Sequence, residues 1–257
     1  MRASAIGALV VAALTAGCAE APPERTLAET RDGREYQSAD TQLLETDAFA
    51  NPGYLWLDRG EALWREGGDQ SPSCADCHGE PAALRGAATR YPQVNATGRL
   101  VNLTQRIEQC RVERQFAPPL PYESEPLLSL TLLVAHQSAG MAFDVSIAGA
   151  ARVHFDRARD YYYTRRGQMN LACHHCHELN PGRMLRGDRL SQGQPTGYPT
   201  YRLQWQTLGS LHRRLRFCNE GIRAEPFDYG AAEYVALELF LAWRAAELPL
   251  TAPAVRR

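Results

Sequence analysis

The sequence predicts an all-α protein made of two tandem domains of similar design. Apolar residues recur at helical spacing in long runs, and alternating patterns typical of strands are few. A series of short motifs also occurs twice in the same order, with the copies about a hundred residues apart. Repetition of a whole pattern indicates an internal duplication, so the two halves are expected to fold alike.

The strongest repeated motif is Cys-x-x-Cys-His, the attachment sequence of c-type haem, in which two thioethers hold the porphyrin and the histidine binds iron. A zinc ribbon, the alternative, needs two Cys-x-x-Cys units in one four-ligand knot, whereas these boxes lie in separate copies. The sequence therefore predicts two covalently bound haem c groups in two cytochrome c-like domains. The boxes are Cys74-Ala75-Asp76-Cys77-His78 and Cys173-His174-His175-Cys176-His177.

Four regions follow one another along the chain. Residues 1–21 have the short apolar core of a secretory signal peptide, which predicts export to the periplasm. A lipoprotein cleavage box ending at Cys18, which would then be acylated, is the alternative to ordinary cleavage after Ala19 or Ala21. Residues 22–51 are polar and predict a linker or N-terminal arm, and no later stretch predicts a transmembrane segment. The two domains are expected at 52–149 and 150–257.

The order of the matching motifs defines the repeat. In each half an aromatic residue lies ten positions before the box, and a Leu-Arg-Gly, a Tyr-Pro, a lone cysteine and an apolar helix-like run follow it. The apolar runs span 127–135 and 234–242. The other matching pairs are Trp64 and Tyr163, Leu84 and Leu185, Tyr91 and Tyr198, Cys110 and Cys218, Pro119 and Pro226, and Tyr122 and Tyr229.

Each haem iron also needs a ligand opposite its histidine. Met141 lies at a plausible interval after His78, but Met184 is too close to His177 for the chain to wrap round the porphyrin. His136 and His212 have no histidine at the matching position, and His174 and His175 lie inside the box, where packing against the haem edge is expected. Cysteine is the only ligand type at matching positions in both halves, which favours Cys110 and Cys218.

A disulfide between Cys110 and Cys218 is the alternative for these two cysteines, since disulfides form in oxidising compartments. Duplicated units tend to repeat a function internal to the unit, which favours iron ligation instead. An arginine precedes each cysteine by four residues, Arg106 in one half and Arg214 in the other, so both side chains lie on one helix face. A guanidinium there favours the thiolate, which is the form that binds iron.

Charge separates the two halves. All 28 basic residues are arginines, and the net charge of −1 conceals −3 in residues 60–151 and +6 in residues 152–257. The second half is therefore expected to attract anions. Arg213, Arg214, Arg216 and Arg223 lie close to Cys218 in the sequence, with Arg214 and then Arg223 the strongest candidates for contacting an anion. No nucleic-acid-binding motif accompanies these arginines, so nucleic acid is not an expected partner.

Several long motifs resemble the SoxA family, dihaem cytochrome subunits of bacterial sulfur oxidation, over about residues 50–245. They are the runs 166–173 (RGQMNLAC), 191–199 (SQGQPTGYP), 201–205 (YRLQW) and 217–227 (FCNEGIRAEPF). The resemblance implies pairing with SoxX, a monohaem cytochrome c, and oxidative conjugation of thiosulfate to a cysteine of the carrier protein SoxYZ.

The resemblance also assigns residues. It implies His and Cys axial ligation at both irons, which here are His78 with Cys110 and His177 with Cys218. Cys218 would correspond to the ligand that carries a persulfide, and Arg214 to an active-site arginine. Cys218, Arg214 and Arg223 are thus the catalytic candidates. Two other activities stay open: a thiosulfate dehydrogenase that forms tetrathionate, and an electron-transfer cytochrome without a substrate site.

Overall fold

The computed structural model describes residues 29–67 and 71–257, and within them the chain is mainly helical. Two helices, α3 and α7, are single turns that carry the two Cys-x-x-Cys-His boxes. The helices are α1 (Ala39–Thr46), α2 (Gly53–Arg65), α3 (Cys74–His78), α4 (Leu103–Arg114), α5 (Glu125–His136), α6 (Arg152–Tyr163), α7 (Cys173–His177), α8 (Leu211–Gly221) and α9 (Ala232–Arg244).

Two packed helix pairs form the centre of the protein, α2 with α5 and α6 with α9. Every residue of α5 from Leu127 to Ala135 is buried, which explains the continuous apolar run in the sequence. The partner α2 is amphipathic and buries only one stripe, which includes Leu57, Gly60 and Trp64. A Cβ on Gly60 would lie 2.6 Å from the Ser129 carbonyl oxygen, so glycine permits the close approach of α2 to α5.

The described residues also form seven short strands, so the all-α expectation is not confirmed. β1 (Gln93–Val94) pairs with β2 (Leu100–Val101), and β3 (Met184–Leu185) pairs with β4 (Asp188–Arg189). β5 (Thr200–Arg202) pairs antiparallel with β6 (Thr207–Gly209), with Thr200 opposite Gly209, and parallel with β7 (Ala254–Arg256), with Thr200 opposite Ala254. Strands of two or three residues are too short to produce an alternating pattern, and for this reason the sequence did not predict them.

The buried side chains form two clusters, and each draws on both halves of the sequence. The cluster around Leu57, Leu132 and Leu133 also contains Leu208 and Val255. The other cluster is built on α6 and α9 and takes in Leu100 from β2. The predicted boundary between residues 149 and 150 stays a prediction, because side chains from each half contribute to the core of the other.

The region predicted as an N-terminal arm is partly helical and is anchored to the C-terminal strand. Glu45 of α1 is almost fully buried and forms ion pairs with Arg256 of β7 and with Arg34, at 3.2 Å for the latter. The Val255 backbone N–H also donates to the Glu45 carboxylate at 2.9 Å. These contacts attach α1 to β7, and through β7 to the strand that contains Arg202.

The described residues include no helix that is long and apolar enough to span a membrane. The predicted signal peptide at 1–21 and the alternative lipid attachment at Cys18 lie outside the described residues.

Candidate haem sites and the surroundings of Cys218

The first box lies on α3, which begins after a capping residue. The Ser73 hydroxyl accepts from the Asp76 backbone N–H at 3.1 Å, and the Asp76 carboxylate accepts from the Ser73 N–H at 2.8 Å. Trp64 of α2 donates its indole N–H to the Gly79 carbonyl at 2.8 Å and so holds the end of the box. His78 is exposed and lies beside the Trp64 ring, with ring centroids 5.8 Å apart.

The distal cysteine of the first half, Cys110, lies on α4 and is partly buried. It is close to the first box, since burial raises the pKa of the Cys74 thiol and a charge on Cys110 raises it further. Gln115, directly after α4, donates to the Cys74 sulfur at 3.6 Å and to the Pro72 carbonyl at 2.9 Å. The structure therefore brings Cys110 together with the box thiols.

The second box lies on α7, and contacts with other parts of the chain hold both its histidine and the residue that follows it. The Nδ1 of His177 lies 2.7 Å from the Ser191 carbonyl oxygen, and because a carbonyl can only accept, Nδ1 carries the proton. Glu178, the next residue, accepts from the Tyr163 hydroxyl at 3.0 Å and pairs with Arg244 at 3.2 Å. These contacts fix the tautomer of His177 and leave Nε2 free to bind a metal.

A glycine makes room for the His177 ring. Gly193 has a φ of +73°, and a Cβ at this position would lie 3.0 Å from Cγ and Nδ1 of the imidazole. The turn that supplies the Ser191 carbonyl can therefore close over the ring only if residue 193 lacks a side chain.

Cys218 of α8 faces this second box. The imidazole of His177 is one of the groups that lower the pKa of Cys218. Burial raises the pKa values of Cys173 and Cys176, and a charge on Cys218 raises them further. Burial alone would raise the pKa of Cys218, but Arg214, His177 and Arg202 outweigh burial and lower it to about 7. The arrangement therefore favours a thiolate opposite a histidine.

Arg202 and Arg214 both lie beside Cys218 without a hydrogen-bonding partner at a buried nitrogen. Arg202, at the end of β5, is only 6% exposed, and its Nε has no partner. Arg214, one turn before Cys218 on α8, has a buried Nη1 that also has none. Within residues 29–67 and 71–257, no ion pair is formed by either arginine.

The residues of both regions fit covalently bound haem c. Each box supplies two free thiols on one helical turn and a histidine, and each has a distal cysteine close to the box thiols. At the second box, the oriented His177 and the Cys218 sulfur form the nitrogen and sulfur donor pair that haem iron accepts. The unpartnered nitrogens of Arg202 and Arg214 further indicate that this region binds a group with anionic oxygens.

Comparison with known proteins agrees with this chemistry. The family model "SoxA/TsdA, cytochrome c domain" matches residues 59–143. The L-cysteine S-thiosulfotransferase subunit SoxA of Pseudaminobacter salicylatoxidans is 37% identical over 93% of this chain and 85% of its own length. The chain belongs to the SoxA family.

Other members of the SoxA family support the same assignment. The SoxA subunit of Rhodovulum sulfidophilum is 38% identical over 89% of this chain and 80% of its own length. The crystal structure of SoxXA from P. pantotrophus matches with a TM-score of 0.86 and 35% identity, covering 89% of this chain and 87% of that chain. The cytochrome c domain of the family implies haem c as its cofactor.

The other arginines predicted near Cys218 have different surroundings. Arg223 is exposed, has a φ of +57°, and donates to the Gln168 side chain at 3.4 Å. Arg216 donates to the Phe227 carbonyl, and the Arg213 guanidinium lies 4.3 Å from the centre of the Trp205 ring. Arg214 is thus one of the groups that lower the pKa of Cys218, and the role predicted for Arg223 stays a prediction.

The structure also shows the surroundings of the alternative iron ligands and of the two cysteines of the alternative disulfide. Cys110 and Cys218 are both free thiols and lie beside different boxes. Met141 packs against Gly86, and the His136 Nδ1 lies 2.6 Å from the Ala252 carbonyl oxygen. His212 is fully buried and lies 3.2 Å from the Glu238 carboxylate, so it has the surroundings of a packing residue.

Two functional groups were missed by sequence reasoning. The Ser191 carbonyl is a backbone group, which no residue pattern can reveal. Arg202 belongs to the run 201–205 that resembles the family, but it lies sixteen positions before Cys218 and no helical spacing connects the two. Its position three residues after the second Tyr-Pro is a further signal, but the first half has Asn95 at the matching place.

Proposed function

We propose that this protein is the dihaem subunit of an L-cysteine S-thiosulfotransferase. The observation that carries the proposal is the group formed by His177, Cys218 and Arg214, in which an oriented imidazole faces a sulfur whose pKa is lowered to about 7. The SoxA relatives carry this activity in their names and cover most of the chain. Oxidation and transfer of sulfur need a redox centre and a reactive sulfur side by side, and this group would offer both once haem c is bound.

Two covalent haem c groups are proposed, one in each of two cytochrome c-like domains that arose by internal duplication, at 52–149 and 150–257. Cys74 and Cys77 would attach the first haem, and His78 and Cys110 would bind its iron. The second haem would be attached by Cys173 and Cys176 and ligated by His177 and Cys218. The matching order of box, distal-cysteine helix and buried helix in the two halves supports this arrangement.

The proposed reaction joins thiosulfate to a cysteine of a SoxYZ-like carrier. The S–H bond of the carrier cysteine breaks, an S–S bond forms to the sulfane sulfur of thiosulfate, and one proton and two electrons are released. The product is a carrier cysteine S-thiosulfonate with one negative charge, so atoms and charge balance. Bound haem c would accept the electrons one at a time, for transfer to a SoxX-like monohaem cytochrome c.

Each residue of the group has a defined task in this reaction. Arg214 offers a planar guanidinium that suits the sulfonate oxygens of thiosulfate and stabilises negative charge on sulfur. The Cys218 sulfur would form a transient S–S bond with the sulfane sulfur as two electrons leave. The carrier thiol would then take over the sulfane sulfur, which returns Cys218 as thiolate and releases the proton. The Ser191 carbonyl keeps the His177 ring in one tautomer. The net charge of +6 in residues 152–257 would draw the dianion towards this half.

A periplasmic location is part of the proposal, since residues 1–21 read as an export signal and covalent haem attachment suits an exported protein. Pairing with a SoxX-like cytochrome is supported by the structural match to SoxXA.

The test is turnover of the purified holoprotein with its SoxX-like partner, thiosulfate and an electron acceptor, with and without the carrier. The proposal requires that the electron acceptor is reduced only when the carrier is present. It also requires that the mass of the carrier increases by that of a thiosulfonate group. Tetrathionate formed without the carrier would identify a thiosulfate dehydrogenase instead. Absence of thiosulfate-dependent reduction under either condition would leave an electron-transfer cytochrome.

A further inference from the structure

Arg202, which is buried, and Arg214, which is partly buried, lie beside Cys218 and come from different elements, and neither forms an ion pair with a carboxylate among the described residues. Arg202 ends β5, which is held between β6 and β7, whereas Arg214 lies on α8. Burial lowers the pKa of Arg202, and the charge on Arg214 lowers it further, so the two guanidiniums are close enough to repel each other. A rigid strand and a helix therefore hold two like charges together.

The carboxylate of Asp188 acts on both arginines but does not neutralise them. Asp188 of β4 acts on both arginines at longer range, but its own bonds go to the Gln204 amide at 3.1 Å and to Arg257 at 3.4 Å. Buried charges are costly unless they are paired and hydrogen-bonded, so one further anion is needed to satisfy the free nitrogens.

We propose that Arg202 and Arg214 together form one binding site for a dianionic or carboxylate oxyanion beside Cys218, with Arg202 as its second arm. Nε of Arg202 and Nη1 of Arg214 are the donors left free for it. The shared chemistry is a planar or tetrahedral group of anionic oxygens, which guanidinium forks recognise well. Under the proposed function, such a group could come from the sulfonate end of thiosulfate or from a carboxylate of covalently bound haem. The inference deepens the proposed function and rests on it for the identity of the substrate.

Selectivity for charge follows from the pairing. A single arginine can hold one side of an oxyanion, whereas two adjacent guanidiniums favour a group that carries two charges and has oxygens for both of them. The site should therefore bind sulfate more tightly than nitrate, and loss of either arginine should remove most of this difference.

The experiment titrates the holoprotein with sulfate, an unreactive tetrahedral dianion, by calorimetry at constant ionic strength, with nitrate in parallel. Arg202→Gln and Arg214→Gln should each weaken sulfate binding by about 10- to 100-fold, the loss expected for one charge-assisted contact. Arg157→Gln is the matched control, because Arg157 is an exposed arginine on α6 of the same half and its loss changes the net charge equally. Haem content and the unfolding midpoint show whether each variant is folded, and Arg202→Lys serves as a less disruptive second variant.

A second measurement separates the two sources. If the anion is a haem carboxylate, Arg202→Gln will leave the dissociation constant for sulfate unchanged and will shift the reduction potential of the haem next to Cys218. If the anion is the substrate, sulfate binding will weaken and the potential will stay close to that of Arg157→Gln. If neither quantity moves in Arg202→Gln, the site does not exist. Neither the dissociation constant for sulfate nor the haem potential depends on the carrier. The two measurements can therefore disprove the anion site while carrier-dependent turnover is intact, and turnover can be absent while the anion site is present.

Discussion

The two haem-attachment regions contain the same elements but differ in what surrounds the distal cysteine. In the first region His78 is exposed beside Trp64, and Cys110 lies near Cys74 on a helix whose half carries net negative charge. In the second region His177 is fixed by a backbone carbonyl, and Cys218 lies beside that histidine and beside two arginines that each have an unpartnered buried nitrogen.

The difference indicates which features serve haem attachment and which serve chemistry. Both regions have a one-turn helix, two box thiols, a histidine and a nearby cysteine, and these are the features that attachment and axial ligation require. Only the second region adds unpartnered buried cations among the described residues, and cations of that kind suit an anionic substrate. We therefore expect the two regions to respond differently to matched substitutions.

The largest expected effect separates the two distal cysteines. Cys218→Ser should reduce carrier-dependent turnover by roughly 10⁴-fold, as removal of a residue that reacts with substrate does. Cys110→Ser should reduce turnover by less than about tenfold, since the structure places no buried unpartnered arginine beside Cys110 among the residues it describes. The measurement is the rate at which thiosulfate reduces the electron acceptor in the presence of the carrier, divided by the haem content of each variant. Equal losses in the two variants would contradict the distinction between the regions.

The next effect concerns the ion pair that follows the second box. Arg244 and Glu178 are buried and lie 3.2 Å apart, and Arg244 also donates to the Gln192 carbonyl at 3.2 Å. Arg244→Met would leave the Glu178 charge without this partner and should cost about 3–5 kcal/mol in the free energy of unfolding. Denaturant unfolding of the holoprotein measures this cost.

The matching position in the first half provides the control for that substitution. Gln137 occupies the place that corresponds to Arg244, and its side chain donates only to the Leu133 carbonyl of its own helix, at 3.1 Å. Gln137→Met should therefore cost less than about 1 kcal/mol. A cost for Arg244→Met no larger than that for Gln137→Met would show that the buried pair does not stabilise the second region.

Part of this comparison could be predicted from the sequence, and the reasons are physical. The boxes were predictable because haem attachment demands fixed residue types at fixed spacing, and α5 and α9 because a helix buried on all sides must be apolar throughout. Arg214 followed from the spacing of four residues on a helix. Arg202 did not, because strand pairing and not local spacing brings β5 to α8, and the short strands themselves left no periodic pattern.

A third effect tests the orientation of His177. Gly193 and Gly79 both have positive φ values, +73° and +67°, but a Cβ on Gly193 would meet the His177 ring at 3.0 Å, whereas a Cβ on Gly79 would meet nothing within 4 Å. Both alanine variants share a backbone cost of about 1 kcal/mol. Gly193→Ala should cost about 2 kcal/mol beyond that and should also alter the absorption spectrum of the His177-ligated haem.

Gly79→Ala is the internal standard for that measurement, since it changes the backbone at the end of the first box without touching a histidine ring. The interpretation would be wrong if the two variants lost the same free energy of unfolding and left the spectrum of the second haem unchanged.

The smallest effect concerns the aromatic residue ten positions before each box. Trp64 donates to the Gly79 carbonyl at 2.8 Å and Tyr163 to the Glu178 carboxylate at 3.0 Å, so both hold the residue that follows the box histidine. Tyr163→Phe should cost about 1 kcal/mol, the value of one hydrogen bond, because Glu178 keeps Arg244. Trp64→Phe should cost about 1 kcal/mol more, since it also removes part of a ring that is only 3% exposed. If both variants unfold like the wild type, these two residues do not share the structural role that their matching positions indicate.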